Sequence, residues 1–377
     1  MVAVMTQNIG AGRPGVAYQA RQLGLAFNAV LGVIMSLFLS LGAGTILSGV
    51  GVADALMQPA KTYLQIVGGF CILNALIPIC SSYLRAFGFS KEPLYASIIG
   101  NVINFCLNAF FLFVLHKGVA GVATATVISR IINLVIVVLL GAVLVKAKQH
   151  PERESNRAVM GQIIRIGLPS ACETAIYNVS MTLVIRFLNQ MDAQGLNVTA
   201  RSYTMQITNF SYCVGAALAQ ANAIMTGWHI GAKEYDACDR GTKKAAVIGV
   251  IVAVILETVF TLCSGWIMQL FSKDPQMVSL VGKLLAIDIV LEIGRVTNLV
   301  YGQALKTSGD AVFPVVMGAC FMILCSVGGT YLFGIRLGLL AVGAYIGMTG
   351  DECVRAVGMY LRWKSGKWKE KGLVKSR

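Results

Sequence analysis

The sequence predicts an all-α, polytopic membrane helix bundle arranged as two parallel, pseudo-symmetric lobes, and three observations lead there. Of 377 residues, 56% are hydrophobic and only 13% charged, whereas a soluble domain of this size carries about 25% charged residues. The apolar residues run in blocks of roughly 20 or more, which at about 1.5 Å rise per residue is enough to cross an apolar slab about 30 Å thick. The chain also aligns with itself at a shift of 221 residues.

Hydrocarbon offers no partner to a backbone N–H or C=O, so blocks of this length are expected to be helices. In order they are 22–49, 62–85, 93–115, 119–146, 161–190, 196–226, 243–271, 277–305, 311–334 and 338–361, ten spans in all. They group into an N-terminal lobe, 1–146, of about four helices plus the end of a fifth, and a C-terminal lobe, 161–361, of six. A linker, 147–160, joins the lobes, and a basic tail, 362–377, follows the last span.

Charge sets the topology. The segments 13–21, 85–91, 146–165, 233–244, residue 306 and the tail hold 21 of the 31 Lys and Arg. The alternate connections hold only Lys61, Lys117, Arg201, Lys273 and Arg336. By the positive-inside rule the rich set, including the linker and the C-terminus, faces the cytoplasm, which places the chain in a cytoplasmic membrane. The formal charge of +14 is therefore a topology signal, and no nucleic acid partner is expected, because the basic residues lie between spans and not on one soluble face. The ten cysteines form no CxxC pair and no metal-ligand spacing with the three histidines, so neither metal nor cofactor is expected.

The repeat is carried by ordered landmarks. Ile9-Gly10-Ala11 falls on Ile230-Gly231-Ala232, Leu84, Arg85 and Gly88 fall on Leu305, Lys306 and Gly309, and Pro93 falls on Pro314. One residue of drift then sets Gly118 on Gly338 and Val122 on Val342. Matching loops share a side of the membrane, the signature of parallel repeats, with solute expected near the midplane between the halves. The region of the first copy that matches 161–226 would begin some sixty residues before Met1. Ten helices of an expected twelve are thus present, and a truncated, non-transporting fragment is one expectation.

Several stretches, taken in order, resemble the multidrug and toxic compound extrusion (MATE) transporters over residues 5–365. They are Gln7-Asn8-Ile9-Gly10-Ala11-Gly12-Arg13 with its copy Gly231-Ala232-Lys233, Leu84-Arg85-Ala86-Phe87-Gly88, and Gly118-Val119-Ala120-Gly121-Val122-Ala123-Thr124-Ala125. Gly167-Leu168-Pro169 with Glu173, and Ala304-Leu305-Lys306-Thr307-Ser308-Gly309-Asp310, complete the set. The resemblance implies two six-helix lobes around a central cavity. It also implies export of small organic, cationic or aromatic compounds in exchange for protons or sodium, by a chain acting as a monomer among membrane lipids.

An ionisable residue within a span costs roughly 2.5 to 3.5 kcal/mol on insertion scales, so each one is a site candidate. Glu173 lies four residues after Pro169 and shares a helix face with Tyr177 and Ser180; by resemblance it takes the cation-coupling role of an acid on the seventh helix. Asp288, Glu292 and Arg295 fall at i, i+4 and i+7 of one helix. Sodium-linked relatives carry a carboxylate about where Arg295 stands, which points away from a sodium site there. Arg295 is free to pair with Glu173 or Glu292, and protonating the acid would release it. Asp351, Glu352 and Arg355 are spaced to pair locally, as a structural cluster.

Two polar stripes read as substrate-cavity lining. Asn101, Asn104 and Asn108 share a face of a first-lobe helix, and Ser202, Gln206 and Asn209 share a face of a second-lobe helix. Phe105, Phe111, Tyr203 and Phe210 flank these stripes and suit flat or cationic solutes. Interhelical hydrogen bonding, at about 0.6 kcal/mol each, is the competing account. A lipid-linked saccharide flippase shares the architecture but needs several cavity cations, and only Arg130 and Arg295 lie deep in spans by this reading. A membrane enzyme is disfavoured, because no HExxH helix, nucleophile elbow or midplane aspartate pair is present.

Overall fold

A computed structural model describes residues 1–50, 52–146, 152–192 and 195–374; residues 147–151 of the linker and 375–377 of the tail lie outside them. Its contacts divide the chain into two units, 1–163 and 164–377. Among the described residues all regular structure is helical.

The first unit comprises α1 (Val2–Gly10), α2 (Pro14–Leu41), the short α3 (Ala43–Val50), α4 (Asp54–Gly69), α5 (Ile72–Ala86), α6 (Lys91–Ala109) and α7 (Gly118–Leu144). The first long helix begins at Pro14 and not at 22. Proline at the first helical position gives up no hydrogen bond, and its fixed φ suits the helix start. The second long block is two helices, α4 and α5, bent by 42°. The bend follows the Gly68-Gly69 pair, a sequence that weakens helix continuity. Ser36 of α2 supports it by accepting a hydrogen bond from the Ile72 N–H at 3.1 Å.

The second unit begins in α8 (Asn156–Met191), which crosses the unit boundary and runs through Pro169, so helix already occupies the last residues of the expected linker. It continues with α9 (Leu196–Gly231), α10 (Tyr235–Leu262), the short α11 (Ser264–Gln269), α12 (Pro275–Ser308), α13 (Val312–Phe321) and α14 (Leu340–Lys364). Asp274 caps α12 by accepting from the Gln276 N–H at 3.0 Å, with Pro275 at the first turn. The basic tail is partly folded onto the unit: Trp368 is buried and stacks on Trp363 at 4.1 Å, while Arg362 pairs with Asp310 at 2.7 Å.

The 221-residue shift reappears in the backbone. α2, α4 and α6 start at Pro14, Asp54 and Lys91, and α10, α12 and α13 start at Tyr235, Pro275 and Val312. Gly88 (φ +88°) corresponds to Gly309 (φ +100°), and Gly12 (+71°) to Lys233 (+63°). Phe89 N–H bonds Leu84 C=O and Asp310 N–H bonds Leu305 C=O, each at 3.0 Å. This is the Schellman closure that a left-handed residue permits. The π-helical turn Phe110–Val114 after α6 has its counterpart in Thr330–Arg336 after α13.

Among the described residues, five helical segments are long and apolar enough to cross a membrane, six when the bent pair counts as one, where the sequence led to an expectation of ten spans. They carry outward bands of exposed Phe38, Leu41, Phe105, Phe113, Val143, Ile255 and Leu262, the face that lipid tails cover. The other four long helices, α8, α9, α12 and α14, are less apolar, and they hold most of the interior charge. Their packing core includes Val184, Leu188, Ile207, Leu284, Leu285 and Tyr345.

Candidate functional site

Inside the second unit, α8, α9, α12, α13 and α14 enclose a cavity of about 540 Å³, within the usual range for small-molecule sites. Asp288, Leu291, Arg295, Asn298, Gly302 and Lys306 of α12 line it at spacings of three and four, a single helix face. From Asp288 to Lys306 that face runs about 27 Å at about 1.5 Å per residue. The facing wall on α9 is Arg201, Met205, Thr208, Asn209 and Tyr212.

Paired charges tie the walls together. Lys306 Nζ lies 2.5 Å from Glu173 Oε2, joining α12 to α8. Arg295 donates to Glu292 at 2.7 Å and lies 3.9 Å from Glu352. Arg355 donates from Nε and Nη2 to Asp351 at 2.8 and 3.0 Å and reaches Glu352 at 2.8 Å. Ser326 donates to Asp351 at 2.9 Å, and Asn298 donates to Glu352 at 3.0 Å. Glu352 thus sits between two guanidiniums and couples α12 to α14. Such bidentate, charge-assisted pairs hold geometry tightly.

Not every charge is matched. Asp288 is 2% exposed and Glu257 of α10 is fully buried, and neither makes an ion pair among the described residues. Both Glu257 carboxylate oxygens, Asp288 Oδ2 and Glu292 Oε1 have no hydrogen-bond partner, although the Ser211 hydroxyl lies beside Glu257. Glu257, Asp288 and Glu292 all feel the one guanidinium of Arg295. Arg201, 7% exposed, makes no ion pair among the described residues; its Nη2 meets Met181 Sδ at 3.8 Å.

The cavity gathers Glu173, Asp288, Arg295, Tyr177 and Asn209, with Glu292 buried behind Arg295. Arg295 takes Glu292 and not Glu173, whose partner is Lys306. Asp351, Glu352 and Arg355 pair locally and also line the cavity. Six of the proposed lining residues do not line it, Ser202, Tyr203 and Gln206 of α9 and Asn101, Asn104 and Asn108 of α6. Ser202 is exposed and bonds back to Val198 C=O, Tyr203 packs on Phe271, and Gln206 is exposed. The lining face of α9 is centred one residue before that stripe, about 100° around the helix, on Arg201, Met205, Thr208 and Tyr212, with Asn209 at its edge. On α6, Asn108 donates to Asn104 and Asn104 to Ser129 of α7, at 3.1 and 3.3 Å, while Asn101 is exposed. Of the three, only Asn104 bonds across helices, and the Asn108–Asn104 bond lies within α6.

Sequence reasoning passed over three residues. Glu257 lies within an apolar block, and the rule that singled out Glu173 applies to it equally. Lys306 was visible as the repeat partner of Arg85, but not as the counter-ion of Glu173. Arg201 was assigned to a connection, whereas it lies inside α9 and is buried. Four cations therefore line the cavity, Arg201, Arg295, Lys306 and Arg355, a larger number than the two on which the flippase was disfavoured; three of the four are neutralised by acids.

Comparison with known proteins agrees with this architecture. The MatE family matches residues 1–110 and 169–332. An uncharacterized transporter, YisQ of Bacillus subtilis (strain 168), is 32% identical over 377 residues, 98% of this chain and 82% of that protein. A probable multidrug resistance protein, NorM of Thermotoga maritima, is 22% identical over 90% of this chain and 76% of its own length. A solved outward-facing conformation of a multidrug resistance MATE family transporter superposes with a TM-score of 0.88 at 18% identity, covering 98% of this chain and 83% of that one. The chain belongs to the MatE family and is a multi-pass MATE transporter.

Proposed function

We propose that this transporter is a secondary active antiporter that exports small organic, cationic or aromatic compounds in exchange for protons or sodium, with Glu173 of the second unit in the coupling role. The observation that carries the reading is the Glu173–Lys306 pair at 2.5 Å on the wall of a cavity built from membrane helices. Binding a proton or a cation at Glu173 weakens its hold on Lys306. α8 and α12 are then free to adopt a second packing, so ion and solute bias one equilibrium. The excess of acids over the single guanidinium of Arg295 supports cation binding close by, at Asp288 and Glu292. Tyr177, Tyr212 and Asn209 supply aromatic faces and an amide for a flat cationic solute.

Positive-inside charge supports a cytoplasmic membrane with the C-terminus inside, and we propose a monomer in lipid as the working unit. The test is ethidium efflux from proteoliposomes under an imposed proton or sodium gradient. Wild-type protein should respond to one of the two, and Glu173→Gln should lower gradient-driven efflux at least tenfold while ethidium still binds. Gradient-driven efflux unchanged in Glu173→Gln contradicts the role assigned to Glu173. A wild-type protein indifferent to both gradients contradicts antiport itself.

A further inference from the structure

Among the described residues, Arg201 is the one cavity cation without an acid partner. It is the sixth residue of α9, buried in the second turn. A buried guanidinium normally carries a carboxylate partner, because removing the ion from water is costly unless a counter-charge repays it. Here Nε is buried without any hydrogen-bond partner, and Nη2 meets a thioether. Arg201 nevertheless lines the cavity, within electrostatic range of Tyr345. Met181 touches Arg201, and Met205, Tyr345 and Met348 line the same cavity, a soft apolar wall suited to a flat ring.

We infer that Arg201 is the seat for a carboxylate group on an aromatic solute held in the second-unit cavity. The planar fork of the guanidinium matches a carboxylate in two parallel hydrogen bonds, and the methionines and Tyr345 cover the ring. Asp288, also unpaired, lines the same cavity. A solute carrying both an acid and an amine therefore finds an opposite charge for each. The inference rests on the second-unit cavity being a solute site. It does not depend on ion coupling.

The experiment is equilibrium binding by calorimetry to the purified full chain in detergent, with no gradient, so a failure of antiport leaves its outcome intact. The paired probes are 2-naphthoate and the neutral 2-naphthamide. Wild-type protein is expected to bind the acid at least tenfold more tightly than the amide. Arg201→Gln should remove that preference while leaving amide affinity within twofold, and Arg201→Lys should keep part of it. Since Arg201 makes no ion pair among the described residues, Arg201→Gln and Arg201→Met are expected to unfold at or above the wild-type Tm. Equal affinity for both probes in the wild type, no binding of either at millimolar concentration, or a preference that survives Arg201→Gln overturns the assignment. Displacement of naphthoate by a few millimolar chloride also overturns it, in favour of an inorganic anion seat.

Discussion

The same backbone plan is used twice, and its two copies differ most at one spot. In the first unit the helix that begins at Asp54 breaks at Phe70–Cys71, and Ser36 of α2 accepts the N–H of Ile72 there. At the 221-residue shift, Ser36 becomes Glu257 and Cys71 becomes Glu292, and the helix from Pro275 to Ser308 runs unbroken. One unit meets this depth with a bend and a neutral hydroxyl cap, the other with a straight helix and buried carboxylates. Of 17 Asp and Glu, the first unit holds only Asp54, Glu92, Glu152 and Glu154, each near a helix end or in the linker. Duplication preserves helix starts and left-handed turns because those are backbone requirements. Interior charge does not match between the units, since most of it lies in the second.

The largest expected effect sharpens this contrast. Lys306→Met strands the Glu173 carboxylate, and gradient-driven efflux should fall at least tenfold. Arg85→Met, the same position in the first unit, leaves no acid behind and should change efflux less than twofold. Glu173→Gln combined with Lys306→Met should recover the Tm lost in Lys306→Met but not the efflux. If Arg85→Met and Lys306→Met behave alike, the asymmetry between the units is not functional.

The second contrast concerns stability. Ser36→Ala leaves the Ile72 N–H at the bend without its acceptor and should cost about 1 to 2 kcal/mol. Glu257→Met removes a buried carboxyl that makes no ion pair among the described residues and has only the Ser211 hydroxyl beside it, and should unfold at or above the wild-type Tm. Thermal unfolding in detergent reads both. A large loss of Tm in Glu257→Met would show a partner for that carboxyl.

The smallest effect lies outside the membrane helices. Asp192 accepts the N–H groups of Leu196 and Asn197 at 2.9 and 3.0 Å, at the start of α9. Burial acts upward on its carboxyl, but the hydrogen bonds from Asn197 and Leu196 outweigh it and hold the group below the usual carboxylate range. Asp192→Ala should cost about 1 kcal/mol, as loss of a helix cap does. Because the folded group ionises more readily, this contribution is present above the unfolded pKa of about 3.9 and is lost as pH falls through the folded value. A Tm difference between wild type and variant that persists at pH 2 contradicts it.

Much of this was legible in the sequence, and for physical reasons. Apolar blocks must be helices in lipid, so the membrane bundle followed from composition, and Gly88 and Gly309 mark chain reversals that demand a left-handed residue. Glu173, Asp288 and Arg295 were legible because charge within apolar sequence is conspicuous. Pairing was not, because which acid meets Lys306 depends on how α8 lies against α12, a tertiary fact. The α9 lining failed for a related reason. Ser202 and Gln206 are polar enough to suggest a wet face, but the packing of α9 on α12 turns Arg201 and Met205 inward instead and leaves only Asn209 of that stripe on the wall.

The most direct test of the central claim, that ion coupling resides in the second unit's charge network, is ion release on solute binding. Ethidium added to purified protein in weakly buffered detergent solution should release protons, or 22Na⁺ after loading with that isotope. Glu173→Gln should abolish the release, and Asn104→Ala in the first unit should leave it intact. Release that persists in Glu173→Gln and disappears in Asn104→Ala would contradict the claim.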